Sequence, residues 1–282
     1  MSNTIKVSII MPCYNDGQYL MEAIESVALE NNKDTEVIII DDGSDDGKTP
    51  QILSGIAHER IHVLHTEHVG PSAARNTGIA QAQGCYILPL DADDRIEACY
   101  ISQAATVLDQ GAHVGAVYCH ADLFGQASGP WKLPDYSFER MLVENLVFVT
   151  AMFRKADWET VGGFRTDMKD GLEDYDFFMG ILALGREIVQ LPEVLFHYRI
   201  KKKSRTTSFV RDQEAVKRAF ANVYEHHKAF YQEHAALYAN LLRNELIQEK
   251  YEKERLMQMN GWMLKLKQIP LVNWLGKKIL RR

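Results

Sequence analysis

Long hydrophobic runs are missing from this chain: no apolar stretch approaches the roughly 20 residues that a bilayer-spanning helix needs. Cysteine is scarce as well. Cys13, Cys85, Cys99 and Cys119 show no C-x-x-C spacing, and three of them lie in or beside apolar segments. That argues against a disulfide scaffold or a cysteine metal knuckle and for buried thiols in a reducing compartment. No secretion signal opens the sequence, since Met1-Ser2-Asn3-Thr4 leads straight into a strand pattern. Cytoplasmic residence is expected, extending to peripheral residence at the inner membrane face. Internal repeats and low-complexity tracts are absent. Gly70-Pro71-Ser72-Ala73-Ala74-Arg75 lacks the Gly-Lys-Ser/Thr ending of a phosphate loop. One zinc-like string, His58-Glu59-Arg60-Ile61-His62, straddles a helix end and a strand start, where its two His cannot share a helix face.

What is present is a chain of 282 residues, 46% hydrophobic, long enough to bury a substantial core. Its formal charge of −6 conceals an uneven split. Residues 201–282 carry 18 Lys and Arg against 8 Asp and Glu, a net of +10, and the first 200 residues hold −16. An acidic body argues against nucleic acid as a partner. The basic tail leaves an anionic surface open.

The first 90 residues alternate between strand and helix patterns. Val7–Met11, Glu36–Ile40, Ile61–Leu64 and Tyr86–Leu90 read as strands. Asp16–Glu30, Thr49–His58 and Ser72–Gln81 read as helices. Near-continuous Val/Ile strands separated by short helices indicate an α/β fold with a mostly parallel sheet covered on both faces. Further on, Ala98–Asp109 and 174–184 read as helices, Val114–His120 and Val194–Ile200 as strands, and Ser128–Asp135 as loop. From about Asp212 the pattern is helical. In such sheets ligands bind beyond the carboxyl ends of the strands. The residues found there are Pro12-Cys13-Tyr14-Asn15, Asp41-Asp42-Gly43-Ser44 and Asp91-Ala92-Asp93-Asp94, and all three groups are polar.

Three carboxylates at a strand end read as a site for a hard divalent cation and a diphosphate, because Mg²⁺ or Mn²⁺ takes carboxylate oxygens and shares phosphates. An Asp-rich turn capping the next helix is the plain alternative.

Together these residues resemble a known family. Val7-Ser8-Ile9-Ile10-Met11-Pro12-Cys13-Tyr14-Asn15, Ile40-Asp41-Asp42-Gly43-Ser44, Ala74-Arg75-Asn76-Thr77-Gly78 and Leu90-Asp91-Ala92-Asp93-Asp94 look like the serial motifs of glycosyltransferase family 2. Gly162-Gly163-Phe164, Glu173-Asp174-Tyr175-Asp176 and His197-Tyr198-Arg199 follow in order. The resemblance covers roughly residues 5–208. It implies a GT-A fold, a nucleotide-sugar donor, Mn²⁺ or Mg²⁺ as cofactor, and transfer with inversion. The implied division is a catalytic domain over 1–208, with a nucleotide-sugar half to about 95 and an acceptor half from 96. A helical, basic extension over 209–282 follows.

The resemblance also implies roles. Pro12, Tyr14 and Asn15 line the nucleotide end, with the Tyr14 ring as a stacking surface. Asp42 accepts from the uracil N–H, since a carboxylate can only accept. Arg75 suits the nucleotide or its diphosphate. Asp91 faces the ribose with Ala92 beside it, Asp93 ligates the metal, and Asp94 caps the following helix. Asp174 is the general base that a single inverting displacement requires. Glu173 orients the acceptor, and Asp176 caps or braces its helix. His197 is either a further metal ligand or a His satisfied by a hydrogen bond. Arg199 and Lys201-Lys202-Lys203 form a loop that closes on the diphosphate or is simply solvated. Many relatives have His where Lys201 stands, which unsettles the phosphate contact.

UDP-sugar is the favoured donor. The acceptor is a cell-surface glycan, a lipid-linked sugar or a peptide, shaped by the region between Phe124 and Phe148. A nucleotidyltransferase would need a Gly-rich loop with a base after the first strand, which Pro12–Gly17 lacks. A non-catalytic binding module is disfavoured by the retention of both Asp93 and Asp174. The last segment, from Trp262, has two Trp, six basic residues and no acid. It reads as a peripheral membrane contact or a self-association element within 260–282.

Overall fold

Branched aliphatic runs make the inner strands of the fold. A computed structural model of the chain describes residues 4–202 and 205–267. Lys203 and the end of the tail, 268–282, lie outside the described residues. The first half runs β1 (Val7–Cys13), α1 (Gly17–Ser26), β2 (Thr35–Asp41), α2 (Thr49–Ser54), β3 (Ile61–His65), α3 (Pro71–Gln81) and β4 (Tyr86–Pro89). Strands β3, β2, β1 and β4 are parallel neighbours in that order. Every residue of β2 and nearly every one of β1 is buried, as a strand covered on both faces must be. Helix α3 can lie close against β1 and β2 because Gly78 has no side chain. A Cβ there would stand 2.6 Å from Ile40 and 2.9 Å from Ile10.

The second half is mixed rather than parallel. It runs β5 (Arg95–Ile96), α4 (Ala98–Gln110), β6 (Val114–Gly125), β7 (Gly129–Pro130), α5 (Phe138–Met141), β8 (Met152–Arg154), α6 (Lys155–Val161), α7 (Glu173–Ala183) and β9 (Glu187–Ile200). The sheet continues from β4 through β8, β6 and β9 to β5, with β7 on β6. Strand β8 is antiparallel to both neighbours, so it converts the parallel half into a mixed one. Strand β9 begins earlier than its apolar pattern suggests. Its pairing passes from Leu191 opposite Cys119 to Val194 opposite His120, so Pro192 and Glu193 bulge out of the ladder. A proline has no N–H to give there. Strand β5 pairs with Phe196 and His197, which folds the turn after β4 against the end of β9. An aromatic core of Phe153, Phe164 and Phe177 backs α7, with Phe164 and Phe177 rings stacked at 4.4 Å.

Helices α8 (Arg205–Arg211), α9 (Gln213–His226), α10 (Lys228–Glu233) and α11 (Ala235–Lys267) complete the described chain. The first compact unit extends through Tyr231, beyond the residue 208 given from the sequence. The reason is packing. Ala215, Ala219 and Val223 of α9 are buried, Phe220 meets Tyr175, and His226 Nδ1 lies 2.7 Å from Asp176. Asp176 thus braces α7 against α9. The second unit contains the 33-residue α11, about 50 Å long at 1.5 Å per residue, with its described side chains from Leu242 to Gln258 all exposed. No helix among the described residues is long and apolar enough to cross a membrane. Cys13 and Cys119 are buried, as expected of structural thiols, whereas Cys85 and Cys99 are exposed.

Candidate active site

The loops after β1 and β2 are tied together by Asn15. Its backbone is left-handed (φ 58°), a conformation that Asn tolerates better than most residues. Its Oδ1 accepts from the N–H groups of Asp45 and Asp46 at 2.9 and 3.1 Å, and its Nδ2 donates to Asp45 at 2.8 Å. Asp42, only 4% exposed, accepts from Thr66 Oγ1 (2.7 Å), Val69 N (2.7 Å) and Gly70 N (2.9 Å). Three of its roughly four lone-pair positions are therefore spent on the 66–70 loop. That loop carries His68, whose ring lies 4.1 Å from the ring of the part-exposed Tyr14. Pro12 sits at the penultimate position of β1, opposite Ile40.

The turn after β4 is held by three basic residues. Arg75, on α3 and almost wholly buried, donates from Nη2 to Asp91 at 2.8 Å and from Nη1 to Glu173 at 3.2 Å. Expected at the nucleotide or its diphosphate, it joins two carboxylates of the site within the chain itself. Lys201 Nζ stands 2.8 Å from Asp93 Oδ2 and 2.9 and 3.0 Å from the two oxygens of Asp16. Arg199 donates its backbone N–H to Asp94 Oδ1 at 2.7 Å and its Nε to the Asp93 carbonyl at 2.6 Å. Its guanidinium lies over the rings of Tyr19 and Phe124, and Glu22 accepts from it. Ala92 is buried beneath.

The electrostatics follow from this crowding. Burial, then Asp91, pushes the Asp93 carboxyl above its ordinary range, with Lys201 opposing. Burial and Asp93 push buried Asp94 further up. Burial would lower the Lys201 ammonium, but Asp93 and Asp16 outweigh it and hold it above its usual value.

Glu173 and Asp174 open α7, where the helix dipole favours negative charge. The preceding Leu172 is left-handed (φ 63°), a strained conformation costing about 1–2 kcal/mol, which turns the chain sharply into the helix. Burial alone would raise the Glu173 carboxyl. Arg75 and Arg205, the latter 2.7 Å away, outweigh it and hold the group below its ordinary range. Asp174 has the opposite fate: burial, then the charge of Glu173, lifts its carboxyl to about 6. Both of its hydrogen bonds among the described residues fall on Oδ1, from Tyr175 N at 2.7 Å and Asn145 Nδ2 at 3.2 Å.

The strand-end groups named from the sequence thus meet, with Lys201 bridging the end of β1 to the turn after β4. His197 does not join them. Of the two roles expected for it, metal ligand or hydrogen-bonded His, the contacts match the second: Nδ1 lies 2.6 Å from Asp122 and Nε2 3.0 Å from Glu97, so both ring nitrogens are engaged in holding β9 to β6 and to the start of α4. The zinc-like string is equally inert: His58 Nδ1 accepts from Arg60 N, and His62 sits on β3 beside Glu36. A cavity of about 670 Å³ near Glu36, Arg60 and His62 lies at the amino ends of the strands and holds none of these site residues. Sequence reasoning missed Arg205 and Asn145. Asn145 lies inside the segment assigned to the acceptor, but nothing in its own neighbours signals contact with Asp174.

A divalent ion would need free carboxylate oxygens. Here Asp91 is paired with Arg75, Asp93 with Lys201, and Asp94 with the Arg199 N–H. Among the described residues no group of three or more His, Cys, Asp or Glu forms a ligand set. Each of these contacts takes up one oxygen of its carboxylate, so a Mn²⁺ or Mg²⁺ at Asp93 would have to displace Lys201 from Oδ2 or bind through Oδ1.

Comparison with known proteins agrees with the fold. A family description, Glycosyl transferase family 2, matches residues 8–181. An uncharacterized glycosyltransferase of Rickettsia felis is 46% identical over 89 residues, 32% of this chain and 15% of that one. A chondroitin synthase of Escherichia coli is 28% identical over 184 residues, 64% of this chain and 27% of that one. The chain therefore spans under a third of the length of these relatives. Among solved structures, TarS of S. aureus in complex with UDP-GlcNAc matches with a TM-score of 0.62 at 23% identity, covering 72% of this chain and 61% of that one. The mannosyltransferase PcManGT of Pyrobaculum calidifontis, in complex with GDP-Man and Mn²⁺, matches with a TM-score of 0.57 at 20% identity, covering 94% and 87%. At these identities the structures speak for the GT-A fold alone. With the family description matched over more than half of its length, the chain belongs to glycosyl transferase family 2.

Proposed function

We propose that this chain transfers a sugar from a UDP-sugar to a hydroxyl acceptor with inversion at the anomeric carbon, and that Asp174 is its general base. The observation that carries the reading is the contrast between two adjacent carboxylates. Glu173 is clamped by Arg75 and Arg205, whereas Asp174 is lifted to about 6 with one oxygen fixed by hydrogen bonds. A base with a pKa just below neutral is mostly ionised at pH 7 yet basic enough to take a proton as it is released. Oδ2 of Asp174 takes the acceptor hydroxyl proton as its oxygen attacks the anomeric carbon. The bond from that carbon to the diphosphate breaks, and its electron pair leaves on the phosphate oxygen.

Support for a uridine donor comes from TarS, whose structure holds UDP-GlcNAc, and from the acceptor-only carboxylate of Asp42 at the nucleotide end. The exposed Tyr14 ring offers a face on which a base stacks. The segment bearing Asn145 lies beside the base, so the acceptor is expected to contact it. A glycan, lipid-linked or peptide hydroxyl meets the chemistry.

A panel of nucleotide-sugars tests the reading by release of nucleoside diphosphate, first with water and then with glycan and lipid-linked acceptors. UDP release from one UDP-sugar is the expected result. Release of pyrophosphate, or no turnover of any nucleotide-sugar, would overturn it.

A further inference from the structure

We infer that the Lys201 ammonium is this chain's own cation for the donor diphosphate, standing at Asp93 where a divalent ion is otherwise expected. The inference rests on the glycosyltransferase reading above. Three observations support it. First, Lys201 is bound from two sides, to Asp93 Oδ2 at 2.8 Å and to Asp16 at 2.9 and 3.0 Å, with its side chain only 23% exposed. A surface lysine does not usually hold two carboxylates from separate loops.

Second, the fold fixes where Lys201 points. Two residues earlier, Arg199 is anchored by its backbone to Asp94, by its guanidinium to the Asp93 carbonyl and Glu22, and by ring faces of Tyr19 and Phe124. The end of β9 is thereby locked over the turn after β4. Tyr19 also lies 5.9 Å from Lys201 Nζ, which fits a cation held beside an aromatic face.

Third, the chemistry of the two cations excludes sharing of Asp93 Oδ2. An ammonium has three N–H donors and no lone pair, so Lys201 cannot ligate a metal in the way a neutral His can. A divalent ion bound to Asp93 Oδ2 would sit about 2.1 Å from that oxygen, crowding the ammonium on the same atom. Either cation can hold that oxygen, but not both. With Lys201 resident, a diphosphate oxygen replaces one Asp16 oxygen on the ammonium. As the anomeric C–O bond breaks, the electron pair passes to the phosphate oxygen, whose new charge meets the Lys201 N–H. The proton stays on nitrogen, and the acceptor's proton goes to Asp174.

The test is UDP binding by calorimetry on the full chain, in excess EDTA and in Mn²⁺, for the wild type, Lys201→Met, Lys201→Arg and Lys201→His. The wild type is expected to bind UDP with affinities within about threefold in the two buffers. Lys201→Met should lose at least ~10-fold in EDTA, the scale of one charge-assisted hydrogen bond. Lys201→Arg should recover part of that loss, and Lys201→His should bind only with Mn²⁺. Thermal melting of each variant separates misfolding from loss of the contact. Wild-type binding that appears only with Mn²⁺, with Lys201→Met equally tight or tighter there, would overturn the inference and leave the glycosyltransferase reading standing. Failure of both UDP and GDP to bind in either buffer would overturn that reading and this inference together.

Discussion

Asn145 donates its side-chain amide to Asp174 over 3.2 Å, on the same oxygen that the Tyr175 N–H holds at 2.7 Å. The carboxylate is oriented by one oxygen, and in the proposed reaction the other meets the acceptor. Burial and the neighbouring Glu173 raise its pKa, while these two hydrogen bonds pull the other way.

A base must be deprotonated to act, so turnover should rise with pH through about 6 and level off above it. Asp174→Asn removes the basic oxygen but keeps the shape. Transfer should fall by at least ~100-fold, the scale of a missing general base, while UDP affinity is unchanged. Rates measured from pH 4.5 to 8.5 alongside calorimetry check both statements. An Asn variant with full transfer activity would remove Asp174 from its role.

The Asn145 contact has its own signature. Its hydrogen bond stabilises the charged form of Asp174, so Asn145→Ala should move the acid limb of the rate profile to higher pH. A purely structural role would lower the rate equally at every pH. Comparing the two profiles separates these outcomes.

Arg75 is the buried link between Asp91 and Glu173. Breaking this link leaves the part-exposed Asp91 without its guanidinium and the buried Glu173 with Arg205 alone, so Arg75→Met should cost about 3 kcal/mol, the lower end for a broken buried pair, in urea unfolding. The sign of the pH dependence follows from Glu173, whose folded-state pKa is depressed. Its stabilising contribution is present above the unfolded value near 4.3 and is lost as pH falls through the folded value. The gap between wild type and Arg75→Met should therefore be widest near neutrality and narrow in acid. A gap independent of pH would show that packing, not charge, is what Arg75 supplies.

The inner strands and the family were legible in the sequence because their signals are local. Val37-Ile38-Ile39-Ile40 is short, β-branched throughout and closed by Asp41-Asp42-Gly43, which together mark a buried strand and its end. The mixed half was not, because Met152-Phe153-Arg154 is too short for any period to register and Pro192 hides the first part of β9. The carboxylates of Asp91-Ala92-Asp93-Asp94 could be read as a charged cluster. Their partners could not, since Arg75, Arg199 and Lys201 reach them from α3 and from the end of β9. His197 illustrates the same limit, as its two carboxylate neighbours come from β6 and the start of α4.

Asp42 offers a last test, because the proposed nucleotide contact falls on the same carboxylate that organises the 66–70 loop. It accepts from Thr66, Val69 and Gly70, and the loop in turn sets His68 against Tyr14. Asp42→Ala would leave two backbone N–H groups without their acceptor, each at about 1–3 kcal/mol if it stays buried. The loop should instead open to water. Limited proteolysis should then cut within 66–70, where the wild type is protected, and UDP affinity should fall as the Tyr14 and His68 rings separate. Asp42→Asn keeps one accepting oxygen, so it should hold part of the loop and give intermediate protection. If both variants resist proteolysis like the wild type yet lose UDP, Asp42 acts on the nucleotide directly and the loop is held by other contacts.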